Sequence, residues 1–205
     1  MIERYTLEEM GKVWTDQMKF SKIWEVELAV CFAWAKLGKI PKDSLLRIKN
    51  KAKFDLNRIE EIEAQTKHDV ISFLTNIAEN IGEDSRFVHM GLTSSDVLDT
   101  GLALQLKEAS EILIADVKEV ISQLKKKAKK FKYTPMAGRT HNVHAEPITF
   151  GLKLALWHEE MKRNLQRWEK AKQSICTGKL SGAVGTYSNI NPVIEKNVLK
   201  SLGLA

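Results

Sequence analysis

Two long segments of this chain repeat apolar residues at alternating spacings of three and four, and this periodicity constrains the fold more than any other feature. The first repeat runs from Leu102 to Phe131 and the second from Phe150 to Ile175. Such spacing places apolar residues on one stripe of an α-helix and is typical of helices that pack side by side. It predicts two antiparallel helices, the first of about 35 residues and roughly 50 Å in length. Their stripes need further helices, which we expect from missing sequence or other subunits.

The rest of the chain also carries helical signals, and no segment alternates apolar and polar residues as a half-buried strand does. Capping residues and helix breakers predict shorter helices near 16–37, 41–53, 55–65, 69–81 and 192–202. Thr6 and Glu9 predict a capping box for a short first helix, and Ser95 is the expected N-cap of the first long helix. We therefore predict an all-α fold. It has a small helical N-terminal domain, residues 1–92, followed by residues 93–205 as the first long antiparallel helices of a truncated, elongated bundle.

Composition and charge narrow the class of protein. Charged residues interrupt every apolar run before 18 residues, so no membrane span is expected, and the acidic N-terminus is unlike a signal or transit peptide, which predicts the cytoplasm. The net charge of +6 suits an anionic partner, either a phosphorylated metabolite or nucleic acid. The densest basic run, Lys125–Lys132, ends the first long helix, where cations complement the helix dipole. We interpret it as a solvated helix end. A basic nucleic-acid binder or an oligomerising, non-enzymatic helical module is kept as the alternative.

The segment from Gly138 to Gly151 is the first candidate for chemistry. It reads G-R-T-H-N-V-H-A-E-P-I-T-F-G and lies between the two predicted long helices. Imidazole has an ordinary pKa of about 6.5 and can exchange a proton near neutrality, especially from a loop that rigid elements hold in place. The residue pattern alone favours a general acid and a loop-packing role for His141 about equally. His144 is more typical of a structural histidine, and the sequence assigns no role to His89 or His158.

Five segments resemble, in the same order, the adenylosuccinate lyases of the fumarase/aspartase superfamily. They are Glu3–Tyr5, Lys67–Val70, G-L-T-S-S-D-V-L-D-T over Gly91–Thr100, the Gly138 loop, and L-S-G-A-V-G-T from Leu180. Argininosuccinate lyase, the alternative within the superfamily, is expected to carry an R-S-R-N-D type stretch where this chain has T-S-S-D. The fumarase and aspartase branch is also a poorer match. One departure from the family pattern is Asn142, which replaces a glycine.

The resemblance implies a carbon–nitrogen lyase that eliminates fumarate from adenylosuccinate, and from the related succinyl-carboxamide ribotide, in purine nucleotide biosynthesis. It places the general acid at His141 and makes His68 a catalytic, substrate-binding and charge-balancing partner. It also implies that Arg4 and Tyr5 hold the nucleotide phosphate. The remaining substrate-binding candidates are Lys67, Asp69, Thr93 and Ser94. Asp69 is also the expected N-cap of its helix.

Residue chemistry gives these candidates a second interpretation. Thr93 and Ser94 precede a long helix, where hydroxyls and backbone N–H groups can hold a carboxylate or simply cap the helix. Gly182 and Gly185 allow the backbone to approach a substrate closely, but a plain turn is an equally good interpretation.

One family motif is missing from the sequence. The mobile G-S-S-x-M-P-x-K-x-N-P loop, whose serine resembles the general base, occurs nowhere in it. We therefore expect an N-terminal portion of a longer enzyme, inactive alone. The superfamily's shared active sites imply a homotetramer. Ligand spacings typical of zinc sites and a phosphate-binding P-loop are also missing, so no metal and no cofactor are predicted.

Overall fold

A computed structural model describes residues 2–205 of the chain. Its helices are α1 (Glu8–Val13), α2 (Asp16–Lys36), α3 (Lys42–Lys51), α4 (Leu56–Thr66), α5 (Asp69–Ile81), α6 (Ser94–Lys130), α7 (Phe150–Ile175) and α8 (Pro192–Leu202). Short 3-10 turns occupy Glu3–Tyr5, Gly82–Phe87 and Ala183–Gly185, and one hairpin joins β1 (Pro135–Thr140) to β2 (Val143–Thr149). The predicted all-α class is confirmed, since the hairpin is the only sheet within residues 2–205. The hairpin itself was not predicted.

The chain divides into two compact units. The first comprises Met1–Glu108 with Ile175–Ala205, and the second comprises Ala109–Ser174. Helix α6 therefore contributes its N-terminal part to the first unit and the remainder to the second. The domain boundary expected between residues 92 and 93 falls inside the first unit and stays a prediction for the longer enzyme.

The core of the first unit forms around α2. Phe20 of this helix stacks on Phe73 of α5 with ring centroids 5.1 Å apart, and Phe54 meets Phe73 edge-on at 5.6 Å. Val26 and Val30, one turn apart, are almost completely buried. Each fully buried side chain of this kind stabilises the fold by roughly 1.5–3 kcal/mol. The buried apolar side chains of α2 thus stabilise the unit that contains most of the candidate residues.

Three predicted helix starts are wrong. Helix α1 begins at Glu8 after Leu7, and the Thr6 hydroxyl donates to the Ile2 carbonyl at 3.0 Å instead of capping the helix. The N-cap of α5 is His68, not Asp69, which is the first helical residue. Helix α6 begins at Ser94, so Ser95 lies inside its first turn. At α5 the two neighbours divide the exposed N–H groups, since His68 Nδ1 accepts from the Ile71 N–H and Asp69 accepts from the Val70 N–H. No side chain caps α1, whose N-cap position is occupied by Leu7.

Other helix boundaries agree with the sequence. Gly82 ends α5 with a positive φ of 75°. The Asn191 side chain accepts from the Val193 N–H at 2.9 Å, and Pro192 opens α8. Proline suits the first helical position because its missing N–H would have no partner there.

The second unit packs α7 antiparallel to α6, as predicted. Phe131 and Phe150 meet at one end of the pair with centroids 5.2 Å apart, and Lys172 reaches Glu111 at 2.6 Å toward the other. Along α7, Leu154 is buried, whereas Trp157 remains 44% exposed. Much of the predicted apolar stripe is therefore uncovered within residues 2–205.

The hairpin replaces the loop expected between these helices. Its strands pair antiparallel from Pro135↔Thr149 to Thr140↔Val143, with an irregularity between Ala137 and Arg139. A Cβ atom at Gly138 would overlap the Glu146 carbonyl, so glycine permits the two backbones to meet at this bulge. The strands lack apolar alternation because neither face of the hairpin is buried throughout, which removes the usual strand signal.

An ion pair joins α3 to the 3-10 turn after α5 and makes stability depend on pH. Arg47 donates to both carboxylate oxygens of Asp84, at 2.5 and 3.2 Å, and these hydrogen bonds lower the pKa of Asp84 from 3.8 to about 2. We expect Asp84→Asn to lower the melting temperature at pH 7. Because the pKa is depressed on folding, the difference should be full above about pH 4 and disappear as pH falls toward 2. Thermal unfolding followed by circular dichroism between pH 7 and 2 measures it. A difference that stays constant over this range would contradict the assignment.

Candidate active site

His141 stands at the tip of the hairpin. The two-residue turn consists of His141 and Asn142, with φ values of 51° and 61°. Two consecutive left-handed residues are the requirement of a type I′ turn, which matches the twist of antiparallel strands. The His141 side chain is exposed, and the paired strands fix its backbone. The imidazole is therefore exposed to solvent, while the hairpin holds the backbone of His141 in a fixed conformation.

Asn142, which stands where the family pattern has a glycine, is compatible with this turn. Asparagine enters the left-handed region at less cost than most residues, so it can replace the glycine that the family has there. Histidine is also enriched in this region, but compared with glycine the left-handed backbone of His141 still costs on the order of 1–2 kcal/mol. A strained residue of this kind persists only where its surroundings determine it, and such residues concentrate at functional sites.

Lys67 and His68 form the whole link between α4 and α5. Lys67 caps α4 in a left-handed conformation, with φ of 56°, and its N–H donates to the Glu63 carbonyl at 2.8 Å. His68 caps α5, and its Nδ1 accepts from the Ile71 N–H at 3.4 Å. A ring nitrogen that accepts carries no proton, so the proton of a neutral His68 lies on Nε2. That nitrogen remains available as a donor.

A cleft of about 570 Å³ adjoins this link. Lys67, His68 and Asp69 all line it, together with Lys19 and Asp16. The cleft thus brings three of the candidate residues to one surface. Its further carboxylates, Glu60 and Glu63, make its charge mixed rather than purely basic.

Arg4 and Tyr5 lie side by side on the first 3-10 turn. The Arg4 guanidinium carbon is 4.8 Å from the centroid of the Tyr5 ring, and the Tyr5 side chain is 73% exposed. Stacking on an aromatic face leaves the N–H groups at the guanidinium edge free to donate. The pair has the donor chemistry that a phosphate requires.

Thr93 and Ser94 lie where α6 begins, and both are half-buried. The Thr93 N–H donates to the Asp96 carboxylate at 3.0 Å. This N–H is therefore occupied, which corrects the expectation that it could hold a substrate carboxylate. The hydroxyls of Thr93 and Ser94 remain the candidate donors.

Sequence reasoning missed a buried carboxylate beside this segment. Glu27 of α2 is fully buried, accepts from the His89 N–H at 2.9 Å, and lies 2.5 Å from His89 Nδ1. Trp34 of the same helix donates to the Met90 carbonyl at 3.0 Å. Glu27 was a possible signal, because a carboxylate on an otherwise buried helix face requires a partner. Helix α2 thereby fixes the backbone that leads to Thr93.

Gly182 and Gly185 both have positive φ, 74° and 73°. A Cβ at Gly182 would lie 3.1 Å from the Gly91 carbonyl oxygen. Close approach of two backbone segments therefore explains this glycine. His158 pairs with its neighbour Glu159 at 2.9 Å, and His144 is exposed on β2.

His141 belongs to the second unit, whereas the other candidates belong to the first. Within the described chain, the helices are too short or too polar to cross a membrane.

The family model and two curated relatives that match this chain are all lyases. A family model described as lyase matches residues 3–205. Over 204 residues the chain is 55% identical to adenylosuccinate lyase from Bacillus subtilis (strain 168), covering 100% of this chain and 47% of the relative. Adenylosuccinate lyase from Aquifex aeolicus (strain VF5) is 53% identical over 207 residues, with the same coverage. The chain spans about half the length of these curated relatives.

Solved structures share the fold. Fumarate lyase from Mesorhizobium sp. BNC1 aligns with a TM-score of 0.89 and 27% identity, covering 97% of this chain and 48% of that one. β-Carboxy-cis,cis-muconate cycloisomerase from Acinetobacter calcoaceticus sp. ADP1 aligns equally well, with 27% identity and coverage of 97% and 49%.

Proposed function

This chain belongs to the lyase family, and we propose that it forms part of an enzyme that eliminates fumarate from adenylosuccinate to give AMP. The succinyl-carboxamide ribotide of purine biosynthesis, which carries the same succinyl-amine, is the second proposed substrate. One observation carries the proposal: more than half of the residues are identical, over the whole chain, to enzymes named adenylosuccinate lyase. The argininosuccinate alternative is disfavoured by the T-S-S-D stretch, where an R-S-R-N-D type stretch is expected.

The proposed elimination breaks one C–N bond and one C–H bond and forms the C=C bond of fumarate. A base takes the carbon proton, and an acid gives a proton to the departing nitrogen. We assign the acid to His141. Its exposed imidazole at the tip of a two-stranded hairpin supports this role, because a general acid must reach the substrate from a defined position.

Donors in the first unit suit the anionic groups of this substrate. We propose that Arg4 and Tyr5 bind the phosphate, and that the hydroxyls of Thr93 and Ser94 bind a succinyl carboxylate. His68 is the proposed catalytic partner, since its Nε2 can donate while Nδ1 caps α5. Lys67 and Asp69 complete the proposed binding set because they line the same cleft as His68.

We propose that other parts of the enzyme complete the site. The family's serine loop has no counterpart in this sequence. The general base is therefore assigned to a segment outside these residues, in a cytoplasmic homotetramer with shared sites. Uncovered apolar stripes on the second unit support association with other helices. No cofactor or metal takes part in the proposed reaction.

A turnover assay on the full-length protein tests the function. Adenylosuccinate should give fumarate and AMP in equal amounts, followed by absorbance and chromatography, while argininosuccinate should give none. Binding to DNA or RNA that weakens steeply with salt, without any turnover, would favour the nucleic-acid alternative.

The phosphate assignment gives a further prediction. We expect Arg4→Ala in the full-length enzyme to raise KM for adenylosuccinate by roughly tenfold or more, since a hydrogen bond to a charged group contributes about 1.5–3 kcal/mol. Lys12→Ala is the matched control, because Lys12 is another exposed cation of the N-terminal segment and pairs with Glu8 at 2.7 Å.

A substrate analogue without the phosphate separates the possible contacts. If Arg4 binds the phosphate, the Arg4→Ala enzyme should lose little further affinity for this analogue. Losses that simply add would show that Arg4 contacts another group.

A further inference from the structure

We propose that Asp96 is a positioning residue whose buried carboxylate joins the turn of Thr93 and Ser94 to the segment 179–187, so that both form one wall of the substrate site. This role of Asp96 adds a structural element to the proposed substrate site, and it rests on the proposed function for the identity of the substrate. Asp96 itself was given no role from sequence, although it belongs to the T-S-S-D stretch.

Four donors converge on this carboxylate. Oδ1 accepts from the Lys179 ammonium at 3.1 Å and from the Ser181 N–H at 3.2 Å. Oδ2 accepts from the Thr93 N–H and the Gly182 N–H, each at 3.0 Å. Three of the four donors are backbone groups, and two of them lie more than 80 residues away in the chain. The carboxylate therefore fixes backbone positions at both ends.

The environment of Asp96 distinguishes positioning from direct binding. Its side chain is completely buried, while its partner Lys179 is 41% exposed. Each oxygen already accepts two hydrogen bonds, so neither has free capacity for a substrate donor. A buried carboxylate is tolerated because these donors replace its hydration. Its contribution to the reaction is consequently indirect.

Further contacts hold the distant segment from its other side. Thr100, one turn beyond Asp96, pairs through its hydroxyl with the Lys179 N–H and carbonyl, each at 3.0 Å. Glu195 of α8 accepts from the Leu180 N–H and from the Tyr187 hydroxyl, each at 2.7 Å. The segment 179–187 is thus anchored at both of its ends.

Between these anchors the backbone has positive φ angles at two non-glycine residues. Val184 has φ of 54° and is 94% exposed, and Tyr187 has φ of 56°. A β-branched residue with positive φ is a genuine outlier, and such strain persists only when the surroundings impose it. The anchors at Asp96 and Glu195 supply this constraint. The Asp96 anchor also brings the start of this segment close to Thr93, because the Thr93 and Gly182 N–H groups donate to the same oxygen.

Asp96→Asn in the full-length enzyme tests the role. Whichever way the amide is oriented, its NH₂ group faces two donors, so two of the four hydrogen bonds are lost. We expect KM for adenylosuccinate to rise at least tenfold, with a smaller fall in kcat. We also expect the Ser181 and Gly182 amides, which should exchange slowly in the native enzyme, to exchange with solvent at least tenfold faster in the variant.

Asp84→Asn is the matched control. It makes the same change at another buried carboxylate of the first unit, which pairs with Arg47. Its melting temperature should fall while KM and the exchange of Ser181 and Gly182 stay native. An equal rise in KM for both variants would show a general loss of stability and overturn the proposal.

Two more variants keep the proposal testable if Asp96→Asn does not fold. Tyr187→Phe removes one hydroxyl from the Glu195 anchor and should raise KM severalfold without lowering the melting temperature. Lys179→Met leaves the three backbone donors and should change KM less than threefold. Native KM in Tyr187→Phe would overturn the proposal. A rise in KM for Lys179→Met as large as that for Asp96→Asn would also overturn it, because the ammonium would then be the functional group.

Hydrogen exchange needs no substrate. It therefore still tests the positioning role of Asp96 if the native enzyme does not turn over adenylosuccinate and the proposed function fails.

Discussion

His141→Ala in the full-length enzyme is expected to lower kcat for adenylosuccinate by a factor on the order of 10² to 10⁴. The exposed imidazole would be lost from the hairpin tip, and the departing nitrogen would have no acid. The substituted residue lies in the turn and not in either strand or at the Gly138 bulge, so the fold should persist. Steady-state kinetics and circular dichroism on the purified variant measure the two effects.

His144→Ala provides the control for this variant. His144 is also exposed, lies three residues away on β2, and pairs with Arg139 across the hairpin. Its removal should change kcat by less than a factor of about three if only His141 transfers the proton. Near-native kcat for His141→Ala would remove this residue from the mechanism. Equal losses in the two variants would instead point to damage of the hairpin.

The chain of residues 1–205, produced alone, is expected to release no fumarate above background and to self-associate. The family's serine loop is not in this sequence, so the carbon proton would have no base. On α7, Leu152, Leu156 and Trp157 are 61%, 65% and 44% exposed. These three side chains line one surface, and a monomer rarely leaves apolar residues grouped in this way in water. Sedimentation velocity and a turnover assay on the same sample measure both expectations.

A charge substitution tests the cause of association. Leu156→Lys should shift the chain toward monomer, since it places a cation on the apolar face of α7. Leu46→Lys is its control because Leu46 of α3 is comparably exposed, at 55%, in the other unit. A monomeric chain with full activity would contradict both the association and the assignment of the base to another segment.

The sequence predicted the long helices well and the hairpin poorly, for one physical reason. A bundle helix repeats its burial pattern over many turns, and the apolar repeat from Phe150 to Ile175 has the same first and last residues as α7 in the structure. The strands are short and mostly exposed, and each contains a proline, Pro135 or Pro147. Their pairing depends on the turn and the bulge rather than on apolar alternation.

Contacts between distant segments were equally hidden from the sequence. Asp96 meets Ser181 across 85 positions of the chain, and Glu27 meets His89 across 62. Periodicity reports which face of a helix is buried, but it does not say which polar group lies opposite. The resemblance supplied the candidate residues, while the structure supplied the carboxylates that hold their backbones.

The left-handed turn at the hairpin tip sets thermal stability against the proposed catalytic role of His141. Turn statistics would recommend asparagine or glycine at position 141, since either relieves the strained φ of 51°. Such a replacement is the kind that consensus-based stabilisation selects, and it would also eliminate the imidazole. Engineering for heat tolerance should therefore leave His141 unchanged and seek its gains elsewhere, for example at exposed positions of α3 or α4.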